Sequence, residues 1–392
     1  ARPIVSGVAA PVWTNLPQLN SDKAGTGVIF ATDEWFAICK NLNQSEPATF
    51  DPNAFDSEGK VMDGWETRRK REAGHDWCII KLGLAGIIRG FEIDTSFFTG
   101  NQVPKIAIQA ASNPSISMAP WYDKPRKGTK ASPEELAAAA AIGSESWETL
   151  VPMSPLKPGY IDTCRHFFEV KDGRRWTHLR VNYHPDGGVA RLRCFGEVQR
   201  DWGSFEAPEA AKAGKLVDLA AVENGGRGLS ASNMHYGHPQ NMLGLGRAVN
   251  MGDGWETARN PLRPPVFTTN AEGMMDLPGS EWCIIQLGVP GTIFCVEVDT
   301  YHFKGNYPES CILEACFDSR GADFQPDSAA WQPLMKRTRL TPHAQHKFDE
   351  STGNLSKTSG PVTHVRLTIY PDGGVSRLRL WGIPAPGGRA NI

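Results

Sequence analysis

Neither sign of charge dominates this chain. Its 392 residues carry 41 Lys and Arg against 43 Asp and Glu, a balance that argues against a nucleic-acid or anionic-membrane partner. No run approaches the roughly 18 apolar residues a membrane-spanning helix needs. The opening ARPIVSGVAAPVW has no apolar core of signal-peptide length, and the closing RANI is not a peroxisomal address. Eight cysteines show no CxxC and no Cys/His metal spacing. Cys78 and Cys283 sit in apolar WCII runs, where a thiol packs as a small hydrophobe. The expectation is reduced, structural cysteines in a cytoplasmic protein.

What is abundant is punctuation. Forty Gly and 29 Pro imply many turns and favour strands over long helices. The length suggests two domains of about 150–200 residues, and the motifs agree. DGWETRR at Asp63 returns as DGWETAR at Asp253, and WCIIKLG at Trp77 as WCIIQLG at Trp282. FEIDTSFFTGN (91–101) returns as VEVDTYHFKGN (296–306). HLRVNYHPDGGVARLRCFG (178–196) matches HVRLTIYPDGGVSRLRLWG (364–382) at 11 of 19 positions. The order is the same in both halves, so a whole domain is duplicated; solenoid repeats have shorter periods. The expected layout is a first domain over 1–200, a linker over 201–226 and a second domain over 227–392.

The repeated units read as strands. Leu179, Val181 and Tyr183 alternate with Arg180 and Asn182, and Val365, Leu367 and Ile369 with Arg366 and Thr368, the period of a half-buried strand. PDGG is a turn in both copies, so a β-hairpin is expected to end each copy. WCII is apolar throughout, as in a sandwich core. With no βα alternation, this indicates an all-β chain of β-sandwich or jelly-roll domains. Two insertions interrupt the match. Ser132-Pro133-Glu134-Glu135 opens an N-capped helix in the first copy only. The second copy has its own insertion: Asp63 to Trp77 is 14 residues, Asp253 to Trp282 is 29.

Chemistry is expected where the copies part. DGWET is kept in both, which suits a shared fold requirement for Asp63, Trp65 and Thr67; Glu66 and Glu256 read equally as fold or function. After it the first copy continues Arg68, Arg69, Lys70, Arg71, Glu72, then His75 and Asp76. A charge run is usually a solvated face. Beside a Gly and a His on a loop, it also fits an anion clamp, since Arg holds a carboxylate bidentately, with His75 to move a proton. The second copy keeps only Arg259, facing Arg69; His75 faces Ser280. The HxxH of His235 and His238 has no third ligand spaced to support a metal. Asp94 and Asn101 bound a loop offering a carboxylate and an amide, suited to a ureido group or to a capped turn.

The ordered set ATDEWF, DGWETRRKREAGHDWCIIKLG, DTSFFTGN and YHPDGGVARLRCFG, present twice, resembles the allantoicase family over roughly Leu16 to Gly382. More distantly each copy is similar to galactose-binding-like jelly rolls. The resemblance implies two tandem jelly-roll domains, hydrolysis of allantoate to ureidoglycolate and urea in purine catabolism, and a homo-oligomer. It implies a site built mainly on the first copy, because the second departs from the family's DGWET-x-R and GHDW pattern. On that footing Glu66, His75 and Arg71 are candidate catalytic residues. Glu34, Arg68, Arg69, Asp94, Asn101 and Arg259 are candidates for binding. No metal ligand set is named and no cofactor is required; a divalent metal stays open, since carboxylates and His are present without a spacing that demands one. The rival readings are a non-catalytic tandem carbohydrate-binding protein, whose 12 Trp would supply stacking platforms, and a duplicated interaction scaffold.

Overall fold

Each repeat is organised by one long strand, made from the WCII run and the acidic-apolar run after it. In the computed structural model, residues 9–113, 116, 126–203, 207–264, 266–271, 273–320 and 324–386 are described. The chain divides into two units, Ala1–Val198 and Gln199–Ile392. The first unit contains β1 (Gly27–Ala31), β2 (Asp76–Asp94), β3 (Lys105–Ala111), helix α1 (Pro133–Ala140), β4 (Glu148–Pro155), β5 (Arg165–Glu169), β6 (Arg175–His184) and β7 (Arg191–Val198). Among the described residues these strands pair antiparallel. The first part of β2 pairs with β1 and β6, and β3 and β4 continue outward from β6. Past a break in register between Lys81 and Gly86, the rest of β2 pairs with β5 and β7. A strand that changes partners at a bend is how a sandwich turns its corner.

The second unit repeats this plan with β8 (Val217–Asp218), β9 (Arg227–Ala231), β10 (Glu281–Asp299), β11 (Ser310–Cys316), β12 (Gln332–Arg339), β13 (Gln345–Asp349), β14 (Val362–Tyr370) and β15 (Arg377–Pro384). Cys283 and Ile285 from the start of β10, Val296 and Val298 from its end, Leu367 of β14 and Leu380 of β15 share one core. Both halves of the long strand therefore face inward on a common interior, as a folded-over sandwich requires. Each such aliphatic side chain contributes about 1.5–3 kcal/mol on burial.

Two expectations are corrected. The strands flanking PDGG do not form a hairpin: β6 pairs with β2 and β3, while β7 pairs with β2 alone among the long strands. Alternation identifies a strand and PDGG a turn, but neither names the partner, and β2 offers a partner to both arms. The stretch 201–226 does not run free as a linker. Val217–Asp218 pairs with β15, and Ala210 and Ala211 pack against the second core.

The all-apolar character of WCII has a local cause. Cys78 and Ile80 enter the sandwich, while Ile79 and Trp77 lie under Ala131 and Ala139 of the insertion. Helix α1 is started by a capping box in which Ser132 accepts from the Glu135 N–H and Glu135 accepts from that of Ser132. Arg126 fastens the insertion to the sandwich through Glu34 and Glu135, at 3.0 Å each.

Candidate active site

DGWET proves to be a joint in both copies. Arg191, fully buried, donates to the Asp63 carboxylate at 2.8 Å, and Arg377 does the same to Asp253. The Trp65 and Trp255 indoles are buried and donate to the carbonyls of Asp33 and Asn233. The Thr67 and Thr257 hydroxyls accept from Gly187 and Gly373. A Cβ at Gly64 would lie 2.4 Å from the Val189 carbonyl, so only glycine lets the turn close on the last strand pair.

Beyond the joint, the first copy builds a cavity of about 880 Å³ walled by residues 68–77, by Thr32, Asp33 and Phe36, and by Lys130, Ala131, Pro133 and Leu136 of the insertion. The loop is pinned at both ends. Arg68 forks onto Asp33, Nε and Nη2 at 2.9 and 2.6 Å from Oδ2, and stacks on Trp35 with its guanidinium carbon 4.3 Å from the ring centre. The Lys70 amide donates to Asp186, and its ammonium to Asp76, which also accepts from Thr32. Gly74, at φ +117, turns the chain back. Arg68 and Lys70 are thus neutralised in place. Arg69, Arg71 and Lys130 are exposed on the cavity wall and have no ion-pair partner among the described residues, the arrangement of a cationic wall awaiting an anion.

His75 stands on the same wall, half-buried. Its Nε2 lies 3.0 Å from Asn182 Oδ1 and its ring packs on His184 with centroids 4.5 Å apart. Burial, then the neighbouring His75 and Lys105, push His184 below the usual histidine range, so it stacks as a neutral ring near pH 7.

The remaining candidates lie elsewhere. Glu66 is buried, accepts from the Asn101 amide at 2.7 Å, and is pushed up to about 7 by burial, against the pull of Asn101 and of Lys127. It does not line this cavity, so Glu66 and His75 are not brought together there. Glu34 is wholly buried and spends its carboxylate on the Cys39 N–H and on Arg126. Asp94 is buried, caps its own turn through the Ser96 N–H and hydroxyl and faces Arg193 at 3.7 Å. Each of these two carboxylates already meets an interior partner, and neither lines the cavity. Arg259 is exposed, on a second-copy loop that has lost the rest of the cluster.

Comparing the copies shows what was lost. Asn233 and Ala258 stand where Asp33 and Arg68 do, and the Asn233 side chain still accepts from the Ala258 N–H at 3.0 Å. Asp372 still holds the Asn260 N–H, as Asp186 holds that of Lys70. The scaffold persists with Arg259, while counterparts of Arg68, Lys70, Arg71 and His75 are absent from the aligned positions. A second cavity, of about 490 Å³ in the second unit, is walled by charges that pair with one another, Arg247 with Asp299 and Arg379 with Asp218. Sequence reading missed Asp33, Lys130, Asn182 and His184; their differences from Asn233, Thr368 and Tyr370 were the available signal for three of them. Among the described residues no three His, Cys, Asp or Glu side chains converge to hold a metal ion, and no helix is long and apolar enough to cross a membrane.

A family model described as "Allantoicase repeat" matches the chain twice, over residues 17–199 and 217–385. A probable allantoicase of Pseudomonas aeruginosa (strain UCBPP-PA14) is 41% identical, over 92% of this chain and 94% of its own length. Probable allantoicase 1 of Burkholderia mallei is 42% identical over 95% and 96%. The crystal structure of an allantoicase from Saccharomyces cerevisiae superposes with a TM-score of 0.62 at 32% identity, covering 94% of this chain and 93% of that one.

Proposed function

The chain belongs to the allantoicase family, and on that premise we propose that the basic cavity of the first repeat is where it hydrolyses allantoate to ureidoglycolate and urea. The observation that carries this placement is the set of cations without an ion-pair partner among the described residues, Arg69, Arg71 and Lys130, beside a histidine in a cavity of about 880 Å³; at the matching loop of the second repeat only Arg259, facing Arg69, is kept and the histidine is replaced by Ser280.

Allantoate is a carboxylate whose central carbon bears two ureido groups. In this reading Arg71, with Arg69 and Lys130, holds the carboxylate, and Arg68 fixes the loop through Asp33. His75, as the imidazolium, protonates the departing ureido nitrogen while the C–N bond breaks. The lone pair of the remaining ureido nitrogen supplies the electrons and leaves an iminium carbon. Water adds to that carbon, and its proton returns to His75, now neutral. One water is consumed, one urea leaves, and the histidine ends as it began. Glu66 and Asn101 act as a latch under the loop and touch no substrate. No step is routed through a metal.

The carbohydrate-binding reading is weakened at the tryptophans of the two DGWET motifs. Trp65 and Trp255 are buried, where no sugar can stack on them. A cytoplasmic setting is supported by eight free cysteines, seven of them buried. A homo-oligomer is proposed on family resemblance, and light scattering of the purified chain decides it. The reaction itself is tested by incubating the chain with allantoate and measuring urea. Release by the intact chain and its loss in His75→Ala are expected; release undiminished in both His75→Ala and Arg71→Ala sinks the placement.

A further inference from the structure

His75 has two ring nitrogens, and the mechanism above needs one to be free. Two independent locks settle which. Arg180 Nε donates to Asn182 Oδ1 at 2.9 Å. An arginine can only donate, so the Asn182 atom facing it, and facing His75, is oxygen. From the other side, Gln109 Nε2 donates to the carbonyls of Glu145 and Trp147, at 2.8 and 3.2 Å. Gln109 therefore turns its own oxygen to Asn182, whose Nδ2 donates to it at 3.1 Å. Both locks give Asn182 the same orientation.

We infer that Asn182 is a positioning residue that holds neutral His75 as the Nε2–H tautomer, leaving Nδ1 as the lone-pair nitrogen that exchanges protons with substrate and water. His75 Nε2, 3.0 Å from an oxygen, has to be the donor. No described residue bonds to Nδ1, on a ring that lines the cavity. The Arg180 head group is held over Trp77 at 3.9 Å and donates to Ser144 at 2.6 Å, so the lock has little freedom to turn.

The second repeat supplies a separate observation. By strand register Gln109, Arg180, Asn182 and His184 match Glu314, Arg366, Thr368 and Tyr370, and His75 faces Ser280. Where the histidine is missing, the relay is missing with it, and Arg366 pairs directly with Glu314 at 2.6 Å. A relay needed only for packing would have no reason to change with the loop histidine.

This inference rests on the proposed site, and its test separates the two. Long-range ¹H–¹⁵N spectra of the full chain, with the His75 signals identified by their loss in His75→Gln, report the tautomer directly. A protonated Nε2 and an unprotonated Nδ1 in the neutral form are expected. Asn182→Leu should mix the tautomers and lower kcat by tenfold or more with KM changed less than about threefold, a modest share of a general acid–base contribution. Asn182→Asp keeps an acceptor for Arg180 and His75. It should retain the tautomer, recover much of kcat, and move the histidine limb of the pH–rate profile to higher pH, since a carboxylate favours the imidazolium. A neutral His75 protonated at Nδ1, or Asn182→Leu with unchanged tautomer and kcat, overturns the inference. The expected tautomer together with an unaffected His75→Ala enzyme would keep Asn182 as the residue that fixes the tautomer, and would overturn both the proton exchange at Nδ1 and the proposed site.

Discussion

Asn101 donates its side-chain amide to Glu66 at 2.7 Å, and Asn306 repeats the bond to Glu256 at 2.5 Å. A contact built twice, once beside the basic loop and once beside its degenerate copy, belongs to the shared scaffold. The burial of Glu66, which outweighs this bond and the pull of Lys127, makes stability depend on pH. The Glu66 carboxyl stands at about 7 in the folded chain against an ordinary 4.5. A raised carboxyl contributes most when protonated, so its contribution is full below about pH 4.5 and is lost as pH rises through 7. The difference corresponds to roughly 3 kcal/mol. Guanidinium unfolding of Glu66→Gln should show a flatter pH dependence between 5 and 8 than the parent chain, and greater stability than the parent at pH 8. Urea release from allantoate should stay within about threefold.

The pair Asp33 and Arg68 is absent in the second repeat as Asn233 and Ala258. Arg68→Ala alone strands the nearly buried Asp33 carboxylate and should cost roughly 1–3 kcal/mol. Asp33→Asn added to it should recover most of that loss, because Asn keeps the acceptor for the residue 68 N–H. The double variant should still lose activity, since the basic loop is no longer pinned. Thermal unfolding and urea release on the two variants check both halves. A double variant less stable than the single would count against this account of the pair.

The fastening of the insertion gives a third expectation. Arg126 is the partner of the wholly buried Glu34, whose counterpart in the second repeat is Met234. Arg126→Met should destabilise by about 3–5 kcal/mol, the usual result of stranding a buried charge. Glu34→Met with Arg126→Met should be milder. Denaturant midpoints of the two variants decide it.

Much of the fold was legible because strands write their period into the sequence. Leu179 to Tyr183 and Val365 to Ile369 alternate visibly, and PDGG marks a turn. Their pairing was not legible: β6 and β7 both find β2, and nothing in an alternating pattern says so. The proposed site shows in the sequence as a difference between copies, since Arg71 and His75 occur in one only. For Glu34 and Asp94 the sequence showed a carboxylate near a motif but not the interior partners, Arg126 and Ser96, that each carboxylate meets in the fold. Asn182 and His184 escaped notice because they sit at the polar beats of a strand, where any solvated residue fits.

The central claim is that one site, on the first repeat, carries the reaction. The most direct test is steady-state urea release from allantoate by Arg71→Ala and Arg259→Ala in the same full-length chain. The account predicts a rise in KM of about 10- to 100-fold for Arg71→Ala, the worth of a charge-assisted contact, and less than about a twofold change for Arg259→Ala. Equal losses in the two variants, or a loss confined to Arg259→Ala, would contradict it.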